Sequence, residues 1–263
     1  MTNPRTNLLA RCKLAVIYLS APVVVLIVWQ LLSSFGFIRP MILPSPTSVA
    51  EVCWDLLASG ELGKHVLASA LRVIEGFALA AASGLLLGVA IGLSRTFGRF
   101  AELPIQLTKP IPPIAWIPLA ILWFGIGEWA KIYIIFIGAF FPILINTIDG
   151  IRQTDNRFVE LARILEVPHW RFVRQVILPG ALPQIMTGLR LGLNIAWMCV
   201  VAAELIAASS GVGFLIMDAR QLSQTDIVLA GMLTMGILGK VTDDLLRALE
   251  KRLVSWRTAF SGS

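Results

Sequence analysis

Long stretches of this chain carry no Asp, Glu, Lys or Arg, and no other feature restricts the fold as strongly. Leu14–Phe35 is one such stretch, and Gly76–Ser94, Pro110–Gly127 and Ile132–Ile148 are others. A bilayer core of roughly 30 Å takes about 20 apolar helical residues to cross. Backbone groups in lipid must pair internally, so a spanning segment is a helix or part of a closed barrel. Barrel strands alternate in polarity over about 10 residues. The runs here are continuous, which implies helices. Composition agrees: the chain is 57% hydrophobic and 14% charged, with a mean hydropathy of +0.79. Soluble domains have about 25% charged residues, and too few remain here to coat a globular surface.

The expected fold is an all-α, polytopic membrane bundle of about six spans in a single domain, 1–263. The spans are placed at 14–35, 66–93, 104–124, 130–148, 182–207 and 227–246. The first is too long for the roughly 7–15-residue core of a signal peptide, so it is read as retained. A turn-rich linker and an amphipathic surface helix fill 38–64, with Val49, Val52, Cys53, Leu56 and Leu57 on one face. The core bundle is 66–246, and a cytoplasmic polar segment occupies 150–180. Ser209–Gly213 is a Gly-rich loop, with a short interfacial helix expected after it.

The net charge of +6 and the pI near 9.7 would suggest nucleic acid in a soluble protein. In a membrane protein they reflect cytoplasmic Lys and Arg. Most basic residues fall on one side if both termini are cytoplasmic, so the chain is expected to lie in the cytoplasmic membrane in that orientation, with lipid and not nucleic acid as its surroundings. Cys12, Cys53 and Cys199 are scattered and are read as free thiols. His65 and His169 lack partners at metal spacing, so no metal site is expected. Gly239–Lys240 is followed by Val241 and lacks the glycine spacing of a nucleotide loop. No catalytic cluster is present, and the chain is not expected to be an enzyme.

Three features bear on packing and passage. Gly76, Ala80, Gly84, Gly88 and Gly92 recur every four residues, a stripe that lets another helix approach closely. Pro110, Pro112, Pro113 and Pro118 interrupt span three; irregular backbone at membrane depth needs a protein or water-filled surrounding. Ionisable residues deep in a span are functional candidates, which selects Glu204 and Arg190, with snorkelling as the plainer alternative. Asp243 and Asp244 are expected to be solvated or paired with Arg247. The residues expected along a translocation pathway are Pro112, Pro113, Trp116, Asn194, Trp197 and Glu204.

The longest polar stretch, Asp149–Gln175, holds Glu160-Leu-Ala-Arg-Ile-Leu-Glu-Val-Pro168. Phe158, Leu161, Ile164 and Leu165 recur there at helical spacing, giving a short helix an apolar face to dock. With Val176-Ile-Leu-Pro179, the segment resembles the coupling-helix motif of permease subunits in binding-protein-dependent ABC importers. That pattern has Ala where this chain has Leu161. It has Gly where this chain has Glu166, a difference that bears on the tight turn the glycine makes. Lys109-Pro-Ile-Pro-Pro-Ile-Ala-Trp-Ile-Pro-Leu119, Trp123-Phe-Gly-Ile-Gly-Glu128, Gly188-Leu-Arg-Leu-Gly192 and Val201-Ala-Ala-Glu-Leu-Ile206 resemble the nitrate, sulfonate, taurine and bicarbonate branch of that family.

The resemblance implies a type I importer permease fold and a non-catalytic subunit that pairs with a second copy of itself. It also implies two cytoplasmic ATPase subunits, which hold the ATP and magnesium, and an external solute-binding protein. This chain itself would carry no cofactor. Phe158, Glu160, Leu161, Ala162, Ile164, Leu165, Glu166 and Pro168 would couple it to the ATPases. A sulfonate such as taurine is the expected solute, with nitrate or another small organic acid next. The rival class is a secondary transporter or channel, with its path inside one chain and no ATPase.

Overall fold

The computed structural model describes residues 20–36, 39, 41–153, 160, 162 and 164–254. The elements are α1 (Ser20–Ser34), α2 (Pro46–Ala58), α3 (Glu61–Leu93), α4 (Arg95–Thr108), a 3-10 turn (Pro113–Trp116), α5 (Ile117–Phe124) and α6 (Glu128–Arg152). There follow α7 (His169–Phe172), a π turn (Val173–Ile177), α8 (Leu178–Ala207), α9 (Val212–Gln221) and α10 (Thr225–Leu253). No strand occurs among the described residues. Residues 14–19 of the expected first span lie outside them. Among the described residues, four helical runs are long and apolar enough to cross a bilayer: α3, α6, His169–Ile206 and α10. Arg95–Thr108 with Pro113–Phe124 makes a fifth if that bent pair is one span.

The chain divides into two compact units, Met1–Gly63 with Leu215–Met232, and Lys64–Phe214 with Leu233–Ser263. In the first unit, Ser45 caps α2 by accepting from the Ser48 N–H at 3.2 Å, and Pro46 sits at the helix start. Proline is tolerated there because its missing N–H would be unpaired anyway. The Trp29 indole donates to the Pro44 carbonyl at 3.0 Å, and the Thr225 hydroxyl to the Met41 carbonyl at 2.6 Å, which pins the linker.

Two expectations for this region need correction. The surface helix ends at Ala58, and Glu61–Lys64 already belong to α3. Gly60, at φ +76°, makes the turn between them. Leu57 does not share the buried face: Val49 and Leu56 are buried while Leu57 is exposed, because one residue on is a 100° step round a helix.

The second unit is built around α6. Of its spanning window 61% is buried, against 11% for α10. The glycine stripe of α3 lies along one side of it. A Cβ at Gly76 would sit 2.6 Å from Ile135 Cγ2, at Gly88 2.6 Å from Thr147 Cβ, and at Gly92 2.9 Å from Ile151 Cβ. Bare Cα atoms therefore set how closely the two helices approach. On the other side, Gly138 meets Cys199 of α8, Gly188 meets Asn146, and Gly192 meets Ile143. Both seams of α6 are thus made of small residues.

Span three is not one helix over 104–124. Helix begins at Arg95, where Ser94 caps it by accepting from the Phe97 N–H, and stops at Thr108. Pro110, Pro112 and Pro113 lack the N–H groups that would continue it. The chain resumes at Pro113 turned by 87°. α5 ends at Gly125, φ +73°, whose N–H closes the last turn on the Ile121 carbonyl at 2.8 Å.

Candidate functional site

Three places in the second unit hold polar or apolar groups where a lipid-facing bundle would not keep them. The first is a knot of ions. Glu204, near the end of α8, is 1% exposed. Its Oε1 accepts from the Arg72 guanidinium at 2.7 Å and the Ser69 hydroxyl at 2.8 Å. Its Oε2 accepts from the Gly213 N–H at 2.8 Å. Arg72 also reaches both oxygens of Glu128, at 2.6 and 2.9 Å, and the carbonyl and hydroxyl oxygens of Ser210, at 2.7 and 2.9 Å. Lys131 closes on Glu128 Oε1 at 2.8 Å.

The Gly-rich loop is shaped around this carboxylate. Gly211 has φ +115°, and a Cβ there would sit 2.3 Å from the Glu204 carboxyl carbon. The first N–H groups of a helix have no partner inside it. Around the start of α9, Gly211 donates to His65 Nδ1 at 3.0 Å, Val212 to Ser69 Oγ at 2.9 Å, and Gly213 to Glu204. A carboxylate at a helix N-terminus is also favoured by the helix dipole. Two cations and two anions leave the knot with no net charge. The Arg72–Glu128 pair is bidentate, the geometry in which Arg–carboxylate bonds are most specific.

A smaller network holds α8 to α10. Arg190 donates to both oxygens of Asp243, at 3.0 and 3.2 Å, and lies 3.5 Å from Glu250. Arg190 therefore pairs instead of snorkelling. Asp243 shares itself between Arg190 and Arg247, and Asp244 pairs with Lys240.

The second place is a groove of about 340 Å³ lined by the proline break, α6 and α8. Its walls include Ile111, Pro113, Ile137, Phe141, Leu191 and Ile195. Lys109 stands on it, and so does Asn146, whose amide donates to the Pro142 carbonyl at 2.8 Å and accepts from Gln184 at 3.0 Å. The third place is a knob ahead of α7. Ala162 and Val167 pack against the buried cluster of Ile151, Phe172, Ile177, Ala181 and Ile185. Ile164, Leu165 and Trp170 point away, 77%, 64% and 62% exposed.

A model of the family described as "Binding-protein-dependent transport system inner membrane component" matches residues 84–255. The chain belongs to this family. The permease is 43% identical over 92% of its length to the putative aliphatic sulfonates transport permease protein SsuC of Bacillus subtilis, covering 87% of that protein. It is 37% identical over 89% of its length to the taurine transport system permease protein TauC of Escherichia coli, covering 86% of it. A chain of the MetNI methionine ABC transporter, solved in inward-facing conformations, shares its fold with a TM-score of 0.56. That match has 18% identity and covers 68% of this chain and 92% of the other. The permease is thus a non-catalytic inner-membrane subunit of an ABC importer and works with ATPase and solute-binding proteins.

The residues selected from the sequence fall in different places. Pro113 lines the groove, and Pro112 beside it is exposed. Trp116 keeps a buried indole N–H without a partner. Asn194 is exposed on α8 in a stripe with Leu191 and Met198. Trp197 is buried and donates to the Thr242 hydroxyl at 2.9 Å. Glu204 lies in the ionic knot. In the knob, Glu160 is exposed and Ala162 half-buried; Phe158 and Leu161 lie outside the described residues. Glu166 adopts φ +49°, and the Val167 N–H bonds the Ala162 carbonyl at 2.9 Å. The turn usually made by glycine is therefore made by a glutamate, at a cost of about 1–2 kcal/mol for a left-handed L-residue. Pro168 follows in extended backbone and starts α7. Sequence reasoning missed Ser69, Arg72, Glu128, Lys131 and Ser210. The available signal was charge: Arg72 and Lys131 sit inside apolar spans, where a partner is required.

Proposed function

We propose that two copies of this permease form the membrane path of an importer for aliphatic sulfonates. Two cytoplasmic ATPase subunits, holding ATP and magnesium, drive it by pushing on the knob at Glu160–Pro168, and both chain termini face the cytoplasm. The single observation behind this reading is the knob itself. It has a buried side, Ala162 and Val167, and an exposed apolar side, Ile164, Leu165 and Trp170. An exposed apolar patch on a rigid support marks a protein contact. The basic excess of the 150–180 segment supports its placement on the ATP side. The higher identity to the aliphatic sulfonate relative than to the taurine relative favours the broader class of sulfonates over taurine alone.

Leu165→Asp tests the reading. Placing a carboxylate in the contact leaves it buried without a partner, at about 1–3 kcal/mol or more. The expected result is loss of ATPase co-purification, or ATP turnover without transport, while the permease stays monodisperse. Unchanged assembly and unchanged transport per ATP would move the contact elsewhere.

A further inference from the structure

We propose that the groove beside the proline break is a solute subsite for a short alkanesulfonate, with its head on the Lys109 ammonium and its carbon chain along Ile137, Phe141 and Ile195. The inference deepens the sulfonate-importer reading and rests on it. Among the described residues, Lys64, Lys109 and Lys251 make neither an ion pair nor a hydrogen bond, while Lys131 and Lys240 each hold a carboxylate; of the unpaired three, Lys109 alone lines this groove. Lys109 therefore presents an uncompensated positive charge beside a largely apolar wall. The other polar side chain on the groove, Asn146, donates one N–H to the Pro142 carbonyl and accepts from Gln184 on its oxygen, which fixes its amide and leaves one N–H donor beside the Lys109 cation.

The wall supplies the second half of the recognition. Ile137, Phe141 and Ile195 lie on α6 and α8, where bare Gly138 lets the helices close; a Cβ there would fall 2.5 Å from Cys199 Sγ. Pro142 has no N–H to offer the Gly138 carbonyl, and both residues line the groove. The volume of about 340 Å³ is at the small end of the roughly 300–1,000 Å³ of ligand sites. A cation at the mouth and an apolar floor of that size fit a small amphiphilic anion. A fully hydrated inorganic anion would leave the floor unused.

The test uses the assembled complex of permease and ATPases. Binding of ethane-, butane- and hexanesulfonate is measured by titration calorimetry without the solute-binding protein, and uptake is measured in vesicles with it. In the wild type, affinity should rise roughly two- to fourfold per added methylene, as burial of each CH₂ group implies. Lys109→Gln should weaken hexanesulfonate binding about tenfold or more and raise the uptake KM. Lys109→Arg should stay within about threefold of the wild type, since the charge is kept. Lys109 lies on an exposed break, so these variants should fold, which size-exclusion profiles check. If wild-type vesicles import sulfonate while Lys109→Gln binds and transports it equally, the subsite is overturned and the importer reading stands. Affinity independent of chain length would likewise overturn it. If wild-type vesicles import no sulfonate, the solute reading falls and the subsite falls with it.

Discussion

Two lysines near the bundle are treated in opposite ways. Lys131, on the first turn of α6, is 4% exposed and its ammonium is closed on Glu128. Lys109, on the proline break, is exposed and unpaired among the described residues. The ionic knot matches two cations with two anions and adds hydroxyl and backbone donors until Glu204 is saturated. The groove offers one cation and hydrophobic walls. Taking an ion out of water costs several kcal/mol, so a buried charge survives only when its partners are built in. Charge that is fully matched within the chain holds the chain together. Charge that is left over is available to something else.

The largest expected effect breaks the knot. Glu204→Ala leaves Arg72 buried at 5% exposure with its contact to the buried carboxylate gone, and removes the acceptor for the Gly213 N–H. Breaking a buried pair from one side costs about 3–5 kcal/mol. Thermal unfolding in detergent should show that loss, while the protein that remains folded keeps its sulfonate affinity. Unaltered stability with lost transport would instead place Glu204 on the pathway, as its position in a span first suggested, and would erase the contrast with Lys109.

A smaller loss should follow Gly88→Leu, which acts on the seam between α3 and α6 at Thr147 and away from the groove side. A Cβ there already falls 2.6 Å from Thr147 Cβ, and overpacking costs about 1–3 kcal/mol, occasionally more. Reduced yield and a lowered unfolding midpoint are expected, with alkanesulfonate binding intact in the surviving fraction. Normal yield and midpoint would mean that the α3–α6 seam is loose and cannot be what holds Arg72 in register.

How far the sequence discloses these features depends on how local their causes are. The glycine stripe and the proline break are visible as spacing, because helix period and the missing proline N–H act within a few residues. The turn at Glu166 departs from its usual residue, since the 1–2 kcal/mol of a left-handed glutamate is small enough for tertiary packing of Ala162 and Val167 to override. The knot is the hidden part. Ser69 and Glu204 are 135 residues apart, and no local pattern pairs them. Arg72, Lys131 and Glu204 are each legible as charges that need partners in an apolar setting, but which partner each finds is decided by how α3, α6 and α8 pack. The groove is hidden for the same reason: Lys109 belongs to a visible motif, while Ile137 and Ile195 become its neighbours only when α6 and α8 close over Gly138.

The smallest expected effect sharpens the comparison most, because it puts Lys131 to the test that Lys109 faces. Lys131→Met keeps most of the length and the apolar stem of the side chain and removes the ammonium with its bond to Glu128. Glu128 would keep both of its bonds to Arg72, at 2.6 and 2.9 Å, and is itself 58% exposed, so water can replace the ammonium. A pair with one solvated member is worth about 0–1 kcal/mol, and the unfolding midpoint should hardly move. Sulfonate binding and uptake KM should not move at all, in contrast to the tenfold loss expected for Lys109→Gln. A Lys131→Met variant that loses sulfonate affinity while remaining folded would show that positive charge anywhere on the bundle attracts the solute. The groove would then have no privileged role, and the distinction between matched and unmatched charge would fail.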